Sequence, residues 1–234
     1  MKRTIITVFV LFSSFLCAFS QGRYKELEEQ EAYIIEQFDN IEGEYVFTDD
    51  GVAIQKVITG NGDKNQLYDK VLEFLARTYK DSKEVVQVSE RESGLIIAKG
   101  LYSFYVKDMK GGYGKSVQNN IYHIIKAECK DGRVRLTLTV DYIDEFREAT
   151  PAIGSNYPAK PASTTRVYIP DLYKDYKLEP VKVTTEDVMT VWSRQSQVYG
   201  GYQIYHCIRY LFFITDEIEA SLNKQSVLDT SDDW

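Results

Sequence analysis

Arg133-Val134-Arg135-Leu136-Thr137-Leu138-Thr139-Val140-Asp141-Tyr142 alternates without a break between polar side chains and apolar or aromatic ones. A period of two places every second side chain on one side of an extended chain, so the run predicts a strand with one buried and one wet face. Strands covered on both sides, as in parallel α/β sheets, read instead as continuous apolar runs. The decamer therefore selects a mainly antiparallel sheet covered on one side, with Val134, Leu136, Leu138, Val140 and Tyr142 facing the cover.

The flanking sequence supplies partners for this strand. Asp131-Gly132 is a turn signal that joins it to a strand over Ile121–Cys129. Val85–Ser89 and Leu95–Tyr102 flank Arg91-Glu92-Ser93-Gly94, and Glu44–Phe47 and Val52–Ile58 flank Asp49-Asp50-Gly51, which predicts two further hairpins. Between them, Leu67, Val71, Leu72, Leu75 and Tyr79 recur at helical spacing, with Asn61 or Asp63 as N-cap. A second amphipathic helix is expected over Gln203–Leu222, on the stripe Ile204, Ile208, Leu211, Phe212, Ile218 and Leu222, preceded by a separate short helix from Thr184 through Trp192.

All five prolines, Pro151, Pro158, Pro161, Pro170 and Pro180, fall in one window that is also rich in Tyr, Ser and Thr. Proline cannot donate to a sheet ladder, so residues 148–182 read as a long Pro/Tyr-rich excursion with at most a short edge strand at Arg166–Ile169. The expected organisation is an acidic helical lead-in over 21–43, a single α+β domain over 44–226 that includes the excursion, and a polar tail over 227–234.

Residues 1–20 read as a secretory signal peptide. Lys2-Arg3 precedes the apolar run Ile5–Phe12, and Ala18-Phe19-Ser20 supplies small residues for cleavage between Ser20 and Gln21. The run is shorter than the ~20 apolar residues of a membrane span and is interrupted by Ser13-Ser14, so no transmembrane segment is expected in the mature chain. Acylation of Cys17 is the lesser alternative, because bulky Phe15 and Leu16 precede it and a lipid anchor calls for small residues there. The expected product is exported, periplasmic or secreted.

Loss of Lys2 and Arg3 takes the net charge from −7 to −9. That balance argues against nucleic acid, whose phosphates are bound by clustered Lys and Arg, and against anionic membrane surfaces. Cys129 and Cys207 remain after cleavage, each on the apolar side of its element. Two buried free thiols are the preferred reading, with a Cys129–Cys207 disulfide as the alternative in an oxidising compartment.

A resemblance to a known family runs through Val57-Ile58, Gly60, Asp63–Tyr68, Phe74-Leu75, Ser82–Val86, Ser93–Ile96, Lys99-Gly100 and Lys130–Arg135. In order and spacing these motifs resemble exported Bacteroidetes proteins carrying a DUF4468-type domain, a domain of unknown function with a TATA-binding-protein-like fold. The resemblance implies a curved sheet of order β-α-β-β-β-β-α with helices packed on one face, in a Gram-negative envelope. It carries over no catalytic residues, and the shared shape with a DNA binder does not transfer function.

Motifs that carry chemistry fail one by one. Gly114-Lys115-Ser116 is not a phosphate loop, since the position that requires the first glycine holds Met109. His123 and His206 have no partner at metal-binding or nucleophilic spacing, so no metal, cofactor or catalytic residue is assigned. Asp141, Asp144, Glu145 and Glu148 gather at the expected end of the best strand, where a solvated strand end is preferred over acid/base work. Tyrosine, with 18 copies, is the feature above background. Tyr168, Tyr173, Tyr176, Tyr199 and Tyr202, in or after the excursion, are the candidate binding residues, because a phenol offers flat contact area with a polar tip; packing of a long loop onto the sheet uses the same residues and is the preferred reading. The leading expectation is a non-catalytic binding or assembly module whose partner is an envelope protein or glycan. The alternative is a hydrolase of envelope glycans or peptides that uses the carboxylates near Asp141.

Overall fold

The computed structural model describes residues 43–79, 82–107, 116–149, 159–175 and 188–224, with residues 29, 32–33, 36–37 and 40–41 of the lead-in. The signal segment, the glycine-rich run over 110–115, Tyr176 and the tail over 227–234 lie outside these residues.

In chain order the elements are β1 (Val46–Phe47), β2 (Val52–Thr59), α1 (Lys64–Thr78), α2 (Ser82–Val85), β3 (Val86–Glu90), β4 (Leu95–Lys107), β5 (Ser116–Lys130), β6 (Arg133–Arg147), β7 (Ser163–Tyr168), α3 (Ile169–Asp175) and α4 (Val188–Asn223). The strands form one sheet of order β1-β2-β6-β5-β4-β3, with β7 also on β6, and every pairing is antiparallel. The architecture is α+β, as the alternating decamer requires.

Helices α1 and α4 cover one face. Leu67, Val71 and Leu75 from α1 and Ile204, Ile208, Leu211 and Ile218 from α4 are fully or almost fully buried, against Ile96, Ile125, Leu136 and Leu138 of the sheet. Asp63 settles the N-cap of α1. Its carboxylate accepts from the Gln66 N–H at 2.9 Å, and Gln66 Oε1 accepts from the Asp63 N–H at 3.0 Å, a reciprocal capping box worth about 1 kcal/mol. At the other end of α4, Lys70 of α1 donates to the Leu222 carbonyl at 2.8 Å, satisfying an otherwise orphaned C-terminal group.

Two expectations are corrected. First, the short helix through Trp192 and the helix from Gln203 are one continuous α4, running through Gly200-Gly201. Two helical glycines cost about 1 kcal/mol each relative to alanine, yet the buried stripe on both sides of them fixes the helix. Gly200 also lies against Leu172 of α3, where a Cβ would sit 3.4 Å from its Cδ2.

Second, β6 does not end at Tyr142. Ile121 of β5 faces Ile143 and His123 faces Val140, so Asp141 and Tyr142 together oppose Tyr122 alone. This β-bulge inserts one residue and reverses the alternation beyond it. Val140, Ile143 and Glu145 therefore point to the helices, while Tyr142 and Asp144 point to the opposite, open face. The excursion carries the short edge strand expected at Arg166–Ile169, at Ser163–Tyr168. It returns as β7, which pairs with β6 over Tyr142–Arg147 on the edge that β2 occupies over Arg133–Val140. Strands β2 and β7 thus lie end to end along one side of β6, meeting at the bulge.

Candidate functional site

On the helix side, two polar groups are built into the core. Gln203 of α4 donates from Nε2 to Asn119 Oδ1 and to Glu145 Oε1, both at 2.7 Å, and Asn119 donates to the Val117 carbonyl at 3.1 Å. Arg147 lies 3.3 Å from the second oxygen of Glu145. Farther along β5, the Tyr79 hydroxyl and His123 Nε2 share a hydrogen bond of 2.6 Å, and Tyr210 meets the His123 ring edge-on with 4.9 Å between centroids. Tyr210 in turn stacks on Tyr102 at 4.0 Å. Burial pushes the His123 imidazole down to about 4 and raises the Tyr79 and Tyr210 phenols. These groups touch one another and the core, with Tyr102 partly exposed at the margin of the second cluster.

The open face differs in kind. Pairing places Tyr122 of β5, Tyr142 of β6 and Tyr168 of β7 in a row across three strands, with ring centroids 5.6 Å and 6.1 Å apart. Tyr122 and Tyr168 are 41% and 51% exposed, which leaves ring area for a partner after their mutual contact is made. Leu101 and Tyr105 of β4 stand exposed on the same face, beside the hydrogen-bonding side chains of Ser103, Gln118 and Asn120. Among the described residues no helix packs there.

Arg166 fixes the row. Its guanidinium lies 3.8 Å from the centre of the Tyr142 ring and donates to both oxygens of Asp144, at 2.8 and 2.9 Å. A planar cation between an aromatic face and a carboxylate is held in one orientation by stacking and by two hydrogen bonds at once. The hydrogen bonds to Asp144 hold Arg166 still more firmly in its charged form.

Residues 55–140 match a family profile described as a domain of unknown function (DUF4468) with TBP-like fold. That segment is a DUF4468 domain. A crystal structure of a DUF4468 family protein from Bacteroides ovatus is similar at 13% identity and a TM-score of 0.47, covering 80% of this chain and 94% of that one. A TBP-like protein from Parabacteroides distasonis is similar at 11% identity and a TM-score of 0.47, covering 77% of this chain and 98% of that one. No curated protein matches the chain.

The DUF4468 segment ends at Val140, immediately before the bulge. Tyr122 belongs to it, whereas Tyr142, Arg166 and Tyr168 do not. The aromatic row is therefore a composite of the DUF4468 domain and the excursion that follows it.

The sequence-predicted site residues separate accordingly. Tyr168 stands on the open face. Tyr199 is buried and Tyr202 half-buried along α4, where the helix turns them toward the core. Tyr173 falls in α3, and Tyr176 lies outside the described residues. Tyr122 and Tyr142 carried no sequence signal as a pair, because strand register and a bulge bring them together. Cys129 and Cys207 are both buried free thiols, and burial raises Cys129 to about 11 and Cys207 still further.

The carboxylates near the end of β6 do not converge. Asp144 pairs with Arg166 on the open face, and Glu145, its neighbour, pairs with Gln203 and Arg147 on the opposite one. Burial, with Asp50 nearby, raises the Asp141 carboxyl from its ordinary value. Among the described residues no group of His, Cys, Asp and Glu is arranged to hold a metal ion, and no helix is long and apolar enough to cross a membrane.

Proposed function

We propose that this chain is an exported envelope protein that works by binding rather than catalysis, with the open face of the sheet as its contact surface. The supporting observation is the row Tyr122–Tyr142–Tyr168, held by Arg166 and exposed opposite the helices. Aromatic rings with polar tips supply large contact area at low cost in side-chain entropy, and they dominate recognition surfaces for that reason. Export is the reading of residues 1–20, and the partner it implies is an envelope protein or glycan. The hydrolase alternative needs two carboxylates across a common cleft, and the opposed directions of Asp144 and Glu145 weigh against it.

Photo-crosslinking in the native envelope from a probe at Tyr105, followed by mass spectrometry, tests the reading. A single protein or a defined glycan should be captured, and capture should fall at least about tenfold in a Tyr122→Ala/Tyr168→Ala variant that remains folded. Equal capture by the variant, or none by either, would remove the open face as the contact surface.

A further inference from the structure

Among the described residues, strand β2 has a bare edge. Its inner edge pairs with β6 from Val52 to Thr59, but on the outer side β1 reaches only Val52 and Ala53. Gly43, just before β1, has a φ of +83, in the left-handed region, which an extended strand does not adopt. Among the described residues, no backbone group outside the β2–β6 ladder bonds to Ile54–Thr59. Every second residue of such an edge aims its N–H and C=O at whatever lies beside it.

What lies beside it is a cleft of about 730 Å³. One wall is Asn40, Ile41, Gly43 and Glu44, the other is α4, and the β2 edge at Ile54, Gln55 and Lys56 closes the side. That three consecutive residues of one strand line the cleft, although their side chains alternate between faces, means that it runs along their backbone. Ile41, Ile54 and Phe212 give it an apolar floor. Lys56 is already engaged by Glu219 at 2.7 Å and Asp216 at 3.5 Å. Arg209 is not engaged in this way: it donates to the Tyr205 hydroxyl at 3.1 Å, and among the described residues it has no carboxylate partner.

We infer that this cleft receives an extended peptide segment of a partner protein, which adds to the sheet along Ile54–Thr59. The bare edge supplies directional hydrogen bonds to any extended backbone, the usual basis of affinity when a strand is added to a sheet. Specificity comes from alternate side chains. Those facing the floor are apolar and β-branched, and one that reaches Arg209 is acidic, because a guanidinium without a carboxylate in a partly apolar cleft favours a charge-assisted pair. This surface is separate from the tyrosine row and does not depend on it.

A displayed random heptapeptide library selected against the full chain tests the inference. The selected peptides should alternate apolar residues with polar ones and carry Asp or Glu at one register. Methylating single backbone nitrogens of a selected peptide should weaken binding at least about tenfold at alternate positions and hardly at all at those between. Arg209→Gln should remove the preference for the acidic residue while leaving a neutral analogue bound as before. The Tyr122→Ala/Tyr168→Ala variant should bind the peptide unchanged, so that failure of either surface is seen independently of the other. The inference is overturned if no peptide is enriched, if N-methylation acts uniformly, if the tyrosine variant loses the peptide, or if sedimentation shows a second copy of the chain occupying this edge.

Discussion

Gly100 and His123 face each other on adjacent strands, and a methyl group on Gly100 would overlap the His123 imidazole and come within 2.7 Å of the Tyr79 ring. The missing side chain is what lets the imidazole lie over β4 and reach the Tyr79 hydroxyl. Gly100→Ala is expected to destabilise the fold by about 1–3 kcal/mol, the usual cost of forcing an extra carbon into a packed core. Urea denaturation measures it. The Gly100→Ala/His123→Ala double variant should lose less than the sum of the two single changes, since the clash disappears with the ring.

His123 also makes stability depend on pH. Burial holds its folded value near 4, below the ordinary 6.5, so the folded chain favours the neutral ring. The unfolded chain takes up a proton as pH falls through about 6.5, and the stabilisation present above that pH is lost progressively until the folded value near 4 is reached. The loss amounts to about 3 kcal/mol over that window. Denaturant midpoints measured between pH 7 and 4 should fall more steeply for the native chain than for His123→Gln. Parallel curves would assign the slope to other groups; His206, which burial also depresses, would be the next to replace.

Gln203 ties α4 to two strands through Asn119 and Glu145. Gln203→Leu leaves a buried carboxylate without one of its donors, and a loss of about 1.5–3 kcal/mol is expected in thermal or urea unfolding. Adding Glu145→Leu should recover part of that loss, because the buried carboxylate left without its donor is then gone.

Cys129 and Cys207 are expected to resist thiol reagents in the folded chain and to react together in denaturant. Both are buried, and a thiol whose ionisation is pushed upward by burial presents almost no thiolate at neutral pH. The intact mass of protein secreted into an oxidising medium checks the pairing directly. A mass lower by two hydrogens, with no thiol titrating in denaturant, would establish the disulfide instead.

Much of the fold was legible because its signals are local. The alternation of Val134–Val140, the Asp-Gly and Ser-Gly turns, and the Leu67–Leu75 stripe each depend on spacing within one element, and each element formed where the spacing placed it. The length of α4 was hidden by Gly200-Gly201, whose local preference is overridden by burial on either side. The excursion's return as β7 was visible only as a short apolar run, since an edge strand needs no strong pattern of its own.

By itself, then, the sequence determined an antiparallel sheet with one covered face, the helices that cover it and the residues of their shared core. Which side chains share the open face was decided by the tertiary structure alone. A single inserted residue at Asp141–Tyr142 reverses the parity of β6, turning Tyr142 and Asp144 outward and Glu145 inward. A bulge exists only when two strands are paired, because the extra residue is defined by the partner it lacks. The same event set Tyr142 between Tyr122 and Tyr168 and put Asp144, rather than Glu145, on the open face.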